Sequence, residues 1–413
     1  MTQKLSDNHP VNWPPLAATA ALLGAGQTAL LVCLPALADS TGLDSHELAV
    51  LVAGAGALFL VGTPFWGWMS DRFGRRLILW VGISGFCVSQ AATAAVLLSE
   101  ATELFWKLLV CRLIYGITAS AIYPVTQSWL CDHPLQHHEI SVAARLTRLS
   151  AAVNIGRVMG PLLSVLLLWF SPAAVLLALA VLALPLPFFY RTRSTNIAIT
   201  PSEISHSKIT SAAHPNAPSK PLVLLLAVLC YAIVMGVLQY ALGFVLRSHS
   251  GDGINASLSA AGVLVGTSLL VAVLQLRVYS RIRHPWRRAV PLACIAISCG
   301  ALLPLLFPTV TSLLLSCLLT AAGVACVMPA ALATAGLHGS HRGRLSGYFA
   351  AATSGGQSVG AWLAGGLLLF GPNSIFIAMA LLSVPPAALL FYHRFSQSSS
   401  IRARKGAPFL VSR

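Results

Sequence analysis

The sequence predicts an all-α membrane protein with twelve transmembrane helices in two pseudo-symmetric sets of six, and three observations predict it. The 413 residues are 56% hydrophobic and only 9% charged, a balance that a water-soluble domain of this length could not cover with polar surface. Apolar stretches near the length that crosses a hydrocarbon core recur along the whole chain, separated by short clusters of Pro, Gly, Ser and charge. A weak internal repeat then sorts these stretches into two groups.

In chain order the spans are expected at 16–38, 47–69, 77–98, 105–130, 146–170, 173–190, 221–246, 258–279, 289–307, 311–336, 346–370 and 374–393. The polar start, as far as Trp13-Pro14-Pro15, runs into a first span long enough to stay in the protein, so no cleaved leader is expected. Residues 191–220 are polar, rich in Ser, Thr, Pro and His, and lack helical apolar periodicity. They read as a cytoplasmic linker between an amino-terminal half, 1–190, and a carboxy-terminal half, 221–413. The repeat supports that division: Leu149 to Leu167 lies over Phe349 to Leu367, matching Ala151 with Ala351, Gly156 with Gly356 and Gly160 with Gly360. At a slightly different offset the fourth span lies over the tenth, with Pro124 opposite Pro329.

The net charge is +15, but the basic residues stand in short loops and tails, and no basic domain exists to hold nucleic acid. Lys107 and Arg247 fall near the outer face, Arg112 and Arg157 fall within spans, and the others gather on one side of the membrane. With the basic side inward, both termini are cytoplasmic. The expected location is the cytoplasmic (inner) membrane of a bacterium, with the chain monomeric. The nine cysteines mostly sit inside apolar runs without CxxC spacing and read as small core hydrophobes. No metal or other cofactor is expected.

Between the second and third spans stands Gly67-Trp68-Met69-Ser70-Asp71-Arg72-Phe73-Gly74-Arg75-Arg76. The two glycines permit close packing and a tight turn, Asp71 can accept from cations or a helix amino end, and the arginines hold the loop inside. This loop resembles the G-x-x-x-D-R-x-G-R-R signature of the major facilitator superfamily at every defining position. The resemblance implies two six-helix bundles and a charge latch made by Gly67, Asp71, Arg72, Gly74, Arg75 and Arg76 that stabilises the outward-open state. Asp71 would face the amino end of the eleventh helix, and Arg75 would pair with Asp132. The competing reading is a plain topological anchor. In the second half the corresponding loop, Tyr279 to Pro285, keeps basic charge but loses the pattern.

The fourth span contains Arg112-Leu113-Ile114-Tyr115-Gly116, which resembles the R-x-x-x-G motif of the same family. A guanidinium at that depth costs about 2.5 to 3.5 kcal/mol on insertion scales, so it should face a cavity or a partner. Tyr115, Ala119, Tyr123 and Thr126 follow on nearly the same helical face and are expected to line a polar path. The fifth span contains Asn154-Ile155-Gly156-Arg157-Val158-Met159-Gly160-Pro161, resembling the G-x-x-x-G-P signature of family exporters. Gly156 and Gly160 let helices touch and Pro161 bends the span, so helix packing explains the motif as well as export does.

None of the eleven acids falls deep in a span, which leaves Arg112 and Arg157 without an evident internal counter-ion. Two unpaired guanidiniums favour an anionic ligand, because arginine binds carboxylate or phosphate through a planar fork of donors. Alternatively they bond helix carbonyls or pair with Glu47 or Glu103 at the outer rim. The family architecture adds Gln27, Tyr115, Asn154, Tyr231, Gln239 and Tyr240 as candidate substrate contacts, while tyrosines within spans serve equally as packing residues. His133, His137, His138 and Glu139 crowd one loop and His338 and His341 its counterpart; solvated loop histidines are the default over a metal site.

The reading is a proton-linked exporter of a small acidic metabolite, a carboxylate siderophore being one class that fits, similar to the drug:proton antiporter branch. A multidrug antiporter and an organic-anion:proton symporter share the fold, and a membrane sensor on a transporter fold is the alternative from another class. HExxH and a Gly-rich phosphate loop with lysine are absent from the sequence, so an enzyme is not expected.

Overall fold

The computed structural model describes residues 13–99, 103–132, 142–191, 221–274, 277, 285–336, 342–384 and 387. Its helices are α1 (Trp13–Thr41), α2 (Ser45–Phe73), α3 (Arg75–Leu98), α4 (Leu104–Ala119), α5 (Ile122–Asp132), α6 (Val142–Leu167), α7 (Pro172–Ala183), α8 (Leu186–Arg191), α9 (Pro221–Ser250), α10 (Gly253–Val273), α11 (Pro285–Leu306), α12 (Val310–Gly336) and α13 (Arg342–Leu368). A further apolar helix, α14, covers Pro372–Val384. Of the linker only Arg191 is described, and both chain ends and the loop histidines 133, 137, 138, 338 and 341 lie outside the described residues.

Each expected span has a helix at its place, but the fourth and sixth are broken in two. A proline inside a helix cannot donate to the carbonyl four residues back, and its ring crowds that carbonyl. Pro124 directs this defect at Ser120, where α4 stops, and Ala121 instead closes a tight turn onto the Thr118 carbonyl at 3.1 Å. Pro187 directs the same defect at Ala183, the last residue of α7. Pro35, Pro64 and Pro161 are carried inside unbroken helices.

Nine of the described helical segments are long and apolar enough to cross a membrane, and Pro291–Leu306 and Pro372–Val384 are shorter apolar helices. α13 is rich in Gly and Ser and lies against both α9 and α2, so it presents protein contacts where other helices present lipid contacts. The exterior is correspondingly apolar: Val61, Trp169 and Phe170 are exposed, Phe170 to 80%. Several buried hydroxyls bond along their own helices, Thr19 donating to Pro15 O at 2.8 Å, Ser164 to Gly160 O at 3.0 Å and Thr126 to Ile122 O at 2.6 Å. In the low-polarity interior this back-bonding removes the cost of an unpaired donor.

Two helix crossings are closest, α6 on α1 and α13 on α9. At Gly156 and Gly160 an added Cβ would meet the carbonyl oxygens of Ala21 and Ala25; at Gly356 and Gly360 it would meet those of Leu229 and Ile233. The glycines named by the sequence repeat therefore occupy the same register, one pair against α1 and the other against α9. The turns repeat too: Gly42, with φ +71°, precedes Asp44, whose side chain caps α2 by accepting from Glu47 N at 2.7 Å. Gly251, also with φ +71°, precedes Asp252, which caps α10 by accepting from Ile254 N and Asn255 N. The capping positions need a short oxygen acceptor at the helix amino end, which aspartate supplies.

Candidate functional site

Arg112 lies inside the packed group of α1 to α4, 2% exposed. Its Nη2 donates to Gln90 Oε1 at 2.9 Å and to Thr93 Oγ1 at 3.4 Å, both on α3, and the guanidinium stands 5.2 Å from the Tyr115 ring centroid. Glu47 is engaged elsewhere, accepting from Asp44 N at 3.0 Å in a reciprocal cap with Asp44. The guanidinium thus has neutral neighbours and no carboxylate among the described residues. Gln90, buried mid-span in an apolar stretch, is a partner that the sequence displayed but that composition alone did not connect to Arg112.

The polar path expected along Arg112, Tyr115, Ala119, Tyr123 and Thr126 is not a path. Tyr115 is clamped between Phe59 of α2 and Phe86 of α3, with ring centroids 5.9 and 5.6 Å away, and Ala119 and Thr126 are fully buried. This face turns onto neighbouring helices because Gly116 brings α4 against Ala55 of α2 and the break at Ser120 resets the helical phase. Tyr231 is likewise fully buried in α9, its hydroxyl beside Cys294 of α11, and Tyr240 donates to the Ser45 carbonyl.

Four of the candidate contacts keep partial exposure: Gln27 of α1, Asn154 and Arg157 of α6, and Gln239 of α9. Arg157 has Tyr123 of α5 within electrostatic reach, and no hydrogen-bond or ion-pair partner among the described residues. Its own carbonyl also loses a helical donor, since Pro161 has no N–H to return to it. α6, which carries Arg157, packs on α1 and on α10.

The end of the molecule that bears Asp39 is tied together by contacts between residues far apart in the chain. Asp39 accepts from Gly253 N at 2.7 Å through Oδ2, and pairs through Oδ1 with Arg247. Tyr240 reaches Ser45, Ser45 Oγ lies 3.5 Å from Gly365 O, and Gly365 and Gly243 lie against Ala49 and Pro35. A carboxylate at the amino end of α10 meets free N–H groups and the positive end of the helix dipole.

At the other end the signature loop carries a short-range ion pair. Asp71, 65% exposed, pairs with Arg75 at 2.6 Å, and Arg75 also donates to Ser70 Oγ. Arg72 lies 5.8 Å from the Trp68 and Phe73 ring centroids, and Arg76 lies 5.8 Å from that of Trp129. Gly74 closes α2 with φ +91°, a conformation that favours glycine. Gly67, expected to allow close packing, has open space where a Cβ would go. Asp71 thus turns to Arg75 and not to the amino end of α13. The side chain of Asp132, the partner expected for Arg75, lies outside the described residues.

The sequence pattern of the Major Facilitator Superfamily matches residues 16–338. A triacylglyceride transporter of Mycobacteroides abscessus is 33% identical over 154 residues, which are 36% of this chain and 28% of that protein. A triacylglyceride transporter of Mycobacterium tuberculosis is 30% identical over 154 residues, 36% of this chain and 29% of that protein. The chain thus spans less than a third of the length of these curated relatives. Among solved structures, a D-xylose-proton symporter superposes with a TM-score of 0.70 at 15% identity, covering 91% of this chain and 96% of that one. The human organic anion transporter MFSD10 gives 0.63 at 20% identity, covering 91% and 99%. At these identities the superpositions establish the fold alone.

Proposed function

The chain belongs to the major facilitator superfamily, and from that premise we propose that it is a secondary transporter that moves a small acidic solute outward by alternating access. In this reading twelve spans form two bundles, 1–190 and 221–413, joined by a cytoplasmic linker. Both termini and the basic loops lie on the cytoplasmic side of a bacterial inner membrane. The repeated register of α1 with α6 and α9 with α13 supports two rigid halves that rock about a central site.

The observation that carries the proposal is the clasp at one end: bonds between 1–190 and 221–413 gather around Asp39, while Asp71 of the signature loop pairs with its neighbour Arg75. That is the pattern of one state of a two-state cycle, closed at the Asp39 end. Re-forming the Asp71 latch against α13 would belong to the opposite state. Within the seam, Arg157, Asn154, Gln27 and Gln239 remain partly exposed, and an arginine without a fixed acid prefers an anionic cargo. A carboxylate siderophore is one such solute, and proton exchange would return the carrier.

The relatives named as triacylglyceride transporters favour a second reading, in which the cargo is an apolar lipid. Counterflow in proteoliposomes separates the two. An acidic metabolite should exchange across the membrane, and Arg157→Ala should slow that exchange at least tenfold. Lipid transfer without organic-acid counterflow would replace the first reading by the second. Everted and right-side-out vesicles would assign the direction.

A further inference from the structure

The break in the fourth span takes from two backbone carbonyls the donors that a continuous helix would give them. Pro124 has no N–H to return to Ser120 O. Ala121 N, which would serve Ile117 O in a regular helix, turns instead to Thr118 O at 3.1 Å. Two other groups take up the Ile117 carbonyl: the Trp66 indole of α2 donates to it at 2.5 Å and the Ser120 hydroxyl at 2.7 Å. An unpaired carbonyl in a low-polarity interior is costly, so the broken form is favoured where a neighbouring helix brings such a donor. α2 brings the room as well. At Gly62, one turn before Trp66, a Cβ would strike Ser120 Oγ.

The second half shows the same span without these two groups. The counterpart of Pro124 is Pro329, yet α12 runs unbroken from Val310 to Gly336. Counted from the capping aspartates, Asp44 of α2 and Asp252 of α10, the positions that match Gly62 and Trp66 are Leu270 and Leu274. A leucine fills the space that Gly62 leaves open, and its side chain has no donor to offer in place of the indole. Pro35, Pro64 and Pro161 also stand inside unbroken helices. A proline is therefore not sufficient to break a span here, and what distinguishes the first half is the pair on α2.

From this contrast we infer that Trp66 is a positioning residue: its indole, in the room left by Gly62, fixes the bend between α4 and α5. The bend decides where Tyr123 points. Above it Tyr115 and Ala119 are buried, whereas Tyr123 below it, which helical phase would place on nearly the same face, is half-buried and within electrostatic reach of Arg157. The bend itself is independent of the transport reading; its bearing on a solute at Arg157 rests on that reading.

The test is a double-mutant cycle on the full-length chain in detergent. Unfolding is followed with a thiol-reactive dye that labels the buried cysteines Cys33, Cys111, Cys294 and Cys317 as they open. Trp66→Phe keeps an aromatic ring, removes the Nε1 donor, and should lower the melting temperature by about 2 °C. In a Pro124→Ala background, where Ala121 N is free to return to Ile117 O, the same change should lower it by less than about half as much, the coupling expected of donors that share one acceptor. Spin labels at Lys107 of α4 and Ser128 of α5 read the bend directly. Trp66→Phe should broaden their distance distribution, and Pro124→Ala should lengthen it toward that of a straight helix. An equal loss of melting temperature in both backgrounds, failure of Trp66→Phe to fold in either, or a label distribution unchanged by Trp66→Phe would overturn the assignment. None of these measurements involves a solute, so a failure of counterflow leaves them standing.

Discussion

The Asp39 end and the Asp71 end of this molecule hold themselves together in opposite ways. Around Asp39 every bond of note joins residues some two hundred or more positions apart, α1 and α2 to α9, α10 and α13. Around Asp71 the described contacts include its pair with Arg75 a turn away, Arg72 over Trp68 and Phe73, and Arg76 over Trp129. Yet only the Asp71 end carries a sequence signature. The lesson is that a motif marks where a contact can be made, while the contacts that hold one particular conformation fall on residues without any pattern.

Four changes would break or sharpen this comparison. The largest effect belongs to the seams that both ends share. At Gly156 a Cβ would strike the Ala21 carbonyl, so backbone must move and not merely a side chain. Overpacking typically costs about 1 to 3 kcal/mol and more where backbone is the obstacle. Gly156→Val should therefore yield little folded protein, or a melting temperature lowered by more than about 5 °C, as read by detergent thermal shift. A wild-type melting curve would show that α1 and α6 can slide.

Next is the clasp itself. Asp39→Ala removes a charge-assisted bond to Gly253 and a half-exposed ion pair to Arg247. The exposed pair is discounted for screening, and together they contribute about 2 kcal/mol, roughly thirtyfold in the balance of closed and open states. Spin labels at Ser40 and Ser250 should report a lengthened distance distribution in the variant. An unchanged distribution would mean that the Asp39 end is held by its packing alone.

Asp71→Asn should leave that distance unaltered, because Asp71 bonds only to Arg75 in this state. It should slow the transport cycle several-fold, since the charge is needed when the opposite end closes. Equal effects of Asp39→Ala and Asp71→Asn on the label distance would abolish the distinction drawn between the ends. The smallest change is Tyr240→Phe, which removes one hydrogen bond to the Ser45 carbonyl. It should cost about 1 kcal/mol and shift the same distance distribution only slightly.

Much of the helical layout was legible because its signals are long: apolar runs, basic loops and a glycine repeat whose members, Gly156, Gly160, Gly356 and Gly360, do face the same register. The breaks at Ser120 and Ala183 were legible as well, in Pro124 and Pro187, but a hydropathy reading smooths over single prolines. The site was harder. Helical phase placed Tyr115 beside Arg112, correctly, but whether their common face meets water or protein depends on Phe59 and Phe86, which belong to other helices. The Asp39–Arg247 pair joins the first and seventh spans, and no local pattern could have announced it.

The interruption at Ser120 has a mechanical consequence. Arg112 lies on α4, bolted to α2 and α3, whereas Tyr123 and Trp129 lie on α5, in touch with Arg157, Arg76 and Tyr190. The fourth span is therefore two levers meeting at an elbow and not one rod. The loop after α2 touches the second of these levers through Arg76 and Trp129, on the far side of the break from the buried guanidinium.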